Sequence, residues 1–96
     1  MKKTIHTKQQ VTLLEMLVEA RAALGWTQDD LASHLGLTQS EVSKFERGER
    51  GLDVLQLRTW VGAVGLPFVE FVADLDARLG KQDGPVQIRR RVRKAK

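Results

Sequence analysis

Apolar residues along the chain fall into helix-spaced stripes separated by turn signals. Leu14, Leu17 and Val18 share one face of a first helix that runs to about Leu24, where Gly25-Trp26 ends it. Leu31, Ala32 and Leu35 form a second stripe, and Val42, Phe45 and Glu46 a third. A fourth helix, roughly Val54 to Val64, carries Leu57, Trp60, Val61 and Val64. Phe68, Phe71, Val72, Leu75 and Leu79 make the stripe of a fifth. Start and stop signals agree with this division. Thr38 and Glu41 have the spacing of a capping box, Thr27 and Asp30 form its acidic counterpart, and Asp53 is a good N-cap. Gly36 and Gly65 lie where helices close, and Pro67 suits a first turn. The start of the first helix is ambiguous, near Gln9 or Thr12, because Thr7 with Gln10 and Thr12 with Glu15 both have capping spacing. The fifth stripe is longer than a small bundle needs. Either all of it is core, or part of it, with Trp60, forms a dimer interface.

Thr27 to Gly48, TQDDLASHLGLTQSEVSKFERG, is the most informative stretch. Two short helices lie head to tail across a tight turn, each opening with Thr-Gln, and Ala32 is small where a crossing helix comes closest. This is a helix-turn-helix pattern. The start of its second helix turns polar residues outward. Gln39, Ser40 and Lys44 suit base edges in the major groove, since Gln pairs bidentately with adenine and Lys donates to guanine. Gln28, Thr38, Ser43, Arg47 and Arg50 are placed to hold the phosphate backbone, helped by unpaired N–H groups at the helix starts. Taken singly, any of these residues reads more readily as solvated surface; only their arrangement together points to DNA. Arg21 falls on the apolar face of the first helix and Glu46 on that of the third. A charge there is costly unless paired, so an Arg21–Glu46 ion pair is expected, structural and not catalytic.

The stretch from about Leu17 to Leu66 resembles the phage-repressor and Cro-like (XRE-type) helix-turn-helix family. The residues that carry the resemblance are Arg21, Thr27-Gln28, Leu31-Ala32, Leu35-Gly36, Thr38-Gln39, Val42-Ser43, Phe45-Glu46 and Gly48. It implies an all-α, lambda-repressor-like bundle of about five helices whose third helix enters the major groove. It also supports the Arg21–Glu46 pairing and implies a dimer on two half-sites about one helical turn apart. This chain departs from that family in having few basic residues in its middle.

Charge sharpens the division into parts. Ninety-six residues carry a net charge of +4, enough chain for one domain with a modest core. Residues 1–10 form a basic arm, 11–79 an acidic helical domain, and 80–96 a basic tail containing Arg89, Arg90, Arg91, Arg93 and Lys94. Basic ends on a DNA-binding core neutralise phosphates; the plainer reading is solubilising tails. Lys2 to His6 is a short strand or an irregular arm. In PVQIRRRVRKAK, Val86, Ile88 and Val92 alternate with polar residues until Arg90 breaks the pattern. The tail is therefore either a strand, paired with residues 2–6 or with a second subunit, or an arm that orders on DNA.

Chemistry narrows the class further. There is no cysteine, and His6 and His34 lack partners at ligand spacing, so no metal site and no cofactor is expected. Trp26 is expected to cover the edge of the core. Ser33, Ser40 and Ser43 have no base beside them, no phosphate-binding glycine loop exists, and the carboxylates are scattered. No catalytic residue is assigned, and the chain reads as a non-enzyme. No apolar run reaches the length of a membrane span, and Met-Lys-Lys is not followed by a signal core, which with the resemblance places the protein in the cytoplasm. The reading is a homodimeric regulator of transcription on double-stranded DNA, a repressor rather than an activator because no second domain is evident. The alternative is a module for a protein partner, such as the antitoxin of a toxin-like protein, with DNA binding serving autoregulation. A third option is RNA binding through the arginine-rich tail.

Overall fold

The computed structural model describes residues 7–80. The terminal segments weighed above as strands, together with Arg89, Arg90, Arg91, Arg93 and Lys94, lie outside the described residues. Within them the chain folds into five helices and no strand: α1 (Lys8–Ala23), α2 (Gln28–Leu35), α3 (Gln39–Glu46), α4 (Val54–Ala63) and α5 (Phe68–Leu79). Helices α2 and α3 pack on each other. α1 lies against α3 and α5, and α4 bridges α2 and α5.

Side-chain caps set most of the boundaries. Thr27, Thr38 and Asp53 each sit in extended backbone and accept from the N–H of the third helical residue, and Asp30, Glu41 and Gln56 return the bond to the capping N–H. The choice at the start of α1 falls to Thr7, whose hydroxyl accepts from Gln10 N at 3.0 Å. Thr12 instead lies buried inside the helix and donates to the Lys8 carbonyl at 3.0 Å. Lys8 to Gln10, expected in the arm, therefore form the first turn of α1. Pro67 stands at the N-cap of α5, one position before the first turn expected for it. Gly36 closes α2 at φ +70°, the left-handed region that only glycine enters without steric cost, and Leu37 N–H returns to the Ala32 carbonyl at 3.0 Å. This leaves a three-residue turn before α3.

The core gathers one or two residues from each helix. Leu17, Leu31, Val42 and Val61 are wholly excluded from solvent, and Met16, Ala32, Phe45, Trp60, Val64 and Phe71 complete it. Met16 was not among the expected core residues; it flanks the Leu14–Leu17–Val18 stripe. Trp26 packs partly buried against the edge of the core, as expected, and stacks on the exposed His34 ring at 4.2 Å. One expectation needs correction. Trp60 cannot serve a dimer face, because it is 2% exposed and packs edge-on to Phe45 at 5.5 Å. In α5 the inward side is Phe71, with Phe68 and Leu75 partly buried. Val72 turns outward with Val69 and Leu66.

Candidate nucleic-acid interface

The α2–α3 unit presents the starts of two helices side by side. The caps bind the N–H groups of Asp30 and Glu41, so the first two N–H groups of each helix have no intrahelical partner and suit an anion. The same caps act on the carboxyls that complete them. Backbone hydrogen bonding to Thr27 holds the Asp30 carboxyl below its ordinary range, with the Thr27 hydroxyl and nearby His34 adding to the effect. Thr38 N–H does the same for Glu41, followed by the Thr38 hydroxyl, Arg50 and Lys44. Both carboxyls lie at the surface, and both stay charged to a lower pH than a carboxyl without such bonds.

Behind this face the expected ion pair forms. Arg21 Nε donates to Glu46 Oε2 at 2.8 Å and Nη2 to Oε1 at 3.1 Å, a two-pronged contact joining α1 to α3. The third arm of the guanidinium donates to the Trp26 carbonyl at 2.8 Å and pins the turn before α2. Glu46 Oε1 also accepts from Gln28 Nε2 at 2.9 Å, and Gln28 Oε1 accepts from Gln39 Nε2 at 2.6 Å. A hydrogen-bonded chain thus runs Arg21, Glu46, Gln28, Gln39, from the interior to the outermost face of α3. All four residues stand out in the sequence as candidates, but the Gln28 bridge between them does not. The repeated Thr-Gln was its only trace, since it puts two glutamines at the same position of neighbouring helix starts.

The remaining candidates divide by what already engages them. Ser40 is exposed in the first turn of α3, and Ser43 and Lys44 are half-buried further along it. Thr38 is exposed, but its N–H donates to Glu41 Oε1 at 2.9 Å and its hydroxyl serves the cap, which leaves it a capping role in this geometry. Arg47 folds back on the end of α3, with Nε donating to Ser43 O at 3.3 Å and Nη2 lying 3.3 Å from Glu49. Arg50 lies over the Phe45 ring at 5.4 Å and 3.8 Å from Glu41. Solvent-exposed pairs of this kind are worth about 0–1 kcal/mol, so either cation exchanges its carboxylate for a phosphate at little cost.

Among families of known proteins, the helix-turn-helix model matches residues 17–71, more than half of the chain. The chain belongs to the XRE-type helix-turn-helix family. It is 41% identical to an XRE-family-like protein from Pseudomonas syringae pv. tomato str. DC3000 over 78% of this chain and 92% of that one, with a TM-score of 0.71. It shares its fold with the restriction–modification controller protein C.Esp1396I, solved as a tyrosine-to-phenylalanine mutant. That match is 24% identical over 82% of this chain and 100% of that one, with a TM-score of 0.70. No curated protein sequence matches. The helix-turn-helix family is one of double-stranded-DNA-binding regulators, and the chain is a DNA-binding transcription regulator. Among the described residues, no helix is long and apolar enough to cross a membrane.

Proposed function

We propose that this XRE-type regulator is a sequence-specific repressor that reads the major groove with α3 and binds as a homodimer. The observation that carries the reading is the placement of Gln39. It opens α3, is exposed, and is tethered by Gln28, so a side chain suited to adenine reaches outward from a fixed base. Ser40 and Lys44 follow it along the helix as the other base-contacting residues. Gln28, Ser43, Arg47 and Arg50 hold the backbone. A repressor of this kind would act by occupying its operator. The exposed Val69 and Val72 of α5, with Leu66 just before the helix, are where a second copy would pack.

Selection of duplexes from a random pool tests the sequence preference, the reading by α3 and the dimer together. The wild-type chain is expected to enrich an inverted repeat with half-sites about 10–10.5 base pairs apart. Gln39→Ala is expected to lose discrimination at one base step in each half-site, by about 1–3 kcal/mol. An unchanged preference for that variant would remove Gln39 from base reading. Exposed Val54, Leu55 and Val69, at 63%, 72% and 79%, favour one second reading, a toxin-like protein partner with DNA binding as autoregulation. If the wild-type chain enriches no sequence, these exposed apolar positions become the first to test for a partner.

A further inference from the structure

The hydrogen-bonded chain behind Gln39 has a direction. We propose that Glu46 is a positioning residue that sets the base preference of Gln39, adenine over guanine, by fixing which end of each glutamine amide faces outward. The proposal rests on the reading that Gln39 contacts a base.

Glutamine amides carry a donor end and an acceptor end and can be turned end for end; a carboxylate cannot, because it only accepts. Glu46 is buried, with its side chain 3% exposed, and is held by Arg21. It therefore draws the Nε2 end of Gln28, at 2.9 Å from Oε1. That turn leaves Gln28 Oε1 pointing away from Glu46, and this oxygen draws the Nε2 end of Gln39 at 2.6 Å. Gln39 is left with one N–H and its Oε1 unclaimed. One donor beside one acceptor is the complement of adenine, whose N7 accepts and whose N6 donates. Guanine offers two acceptors, O6 and N7, and has no partner for the glutamine oxygen.

Reversing the direction should reverse the preference. In Glu46→Gln the introduced amide keeps its oxygen on Arg21 and turns its NH2 to Gln28. Gln28 then accepts with Oε1 and donates Nε2 outward to the Gln39 oxygen. Gln39 now presents two N–H groups to the groove and tolerates guanine. Gln28→Met, at a half-exposed position outside the core, breaks the chain without touching the ion pair.

The test measures binding of the full chain and its variants to duplexes carrying A or G at the step that Gln39→Ala flattens. Wild type is expected to favour adenine there. Glu46→Gln should lower the A-to-G affinity ratio by about tenfold or more, and Gln28→Met should level it, with other steps unchanged. A general loss of stability weakens binding to every duplex and does not move that ratio. A wild-type preference for guanine, or a wild-type ratio in both variants, overturns the proposal. If Glu46→Gln does not fold, Arg21→Met with Glu46→Leu, which removes the carboxylate together with its partner and keeps Gln28, is expected to lower the ratio, and a wild-type ratio there overturns the proposal. If Gln39→Ala flattens no step, the base-reading role of Gln39 itself fails.

Discussion

An arginine side chain 14% exposed, forked onto a carboxylate that is 3% exposed, is a local commitment with a large penalty for breaking it. Removing Arg21 leaves the Glu46 charge buried beside Val42 and Phe45 and also frees the Trp26 carbonyl. Arg21→Met is accordingly expected to lose about 3–5 kcal/mol in urea unfolding, nearer the lower figure because the arginine is not fully enclosed. Adding Glu46→Leu should restore part of that loss, because the orphaned charge goes with it. If the single variant unfolded like the wild type, the pair would be incidental to stability. This pair was legible in the sequence because each charge interrupts an apolar stripe, and a buried charge demands a partner. The bond from Gln28 to Glu46 was not legible. Gln28 lies on no stripe, and only the angle at which α2 meets α3 brings the two within reach.

Among the helices, the same substitution is expected to act with opposite signs at two glycines. Gly36 ends α2 at φ +70° and Gly62 is an exposed residue in the last turn of α4, and a Cβ at either would meet nothing within 4 Å. Only the backbone conformation differs. Gly36→Ala forces a left-handed alanine and should cost about 1–2 kcal/mol. Gly62→Ala removes conformational freedom from the unfolded chain and should add about 0.5–1 kcal/mol. Thermal melts of the two variants check both signs; melts that shift in the same direction would mean that packing dominates. Boundaries such as those of α2 to α4 are legible because capping chemistry is local. The start of α1 was ambiguous because Thr7 and Thr12 have the same spacing to a residue three positions on, and only tertiary burial of Thr12 separates them. The α5 stripe was longer than the face that is buried, because periodicity marks an apolar side without saying how much of it the neighbouring helices cover. Val69, at 79% exposed, lies off that stripe altogether.

For the whole molecule, charge opposes the function assigned to it. Residues 11–80 carry six Lys or Arg against eleven Asp or Glu, while residues 81–96 carry seven against one. The face offered to a polyanion thus belongs to an acidic body, and two of its cations, Arg47 and Arg50, stand beside Glu49 and Glu41. Base contacts fix register and preference over short distances, but association with DNA depends on displaced counterions, and the charge for that lies at the ends of the chain. Replacing Arg89, Arg90, Arg91, Arg93 and Lys94 together by Gln therefore separates the two contributions without shortening the protein. If each neutralises one phosphate, the slope of log affinity against log salt should become shallower by about 4.5 per chain, with affinity at low salt falling for all duplexes alike. The preference among bases should stay that of the wild type, since no residue of the α2–α3 unit is altered. Fluorescence anisotropy across a salt series on the selected operator and on an unrelated duplex measures both quantities. An unchanged slope would mean that the tail charges do not meet phosphate, and would turn attention to a protein or RNA ligand for them. A changed preference would mean that the tail reads sequence in its own right, through the minor groove, where arginine responds to groove width.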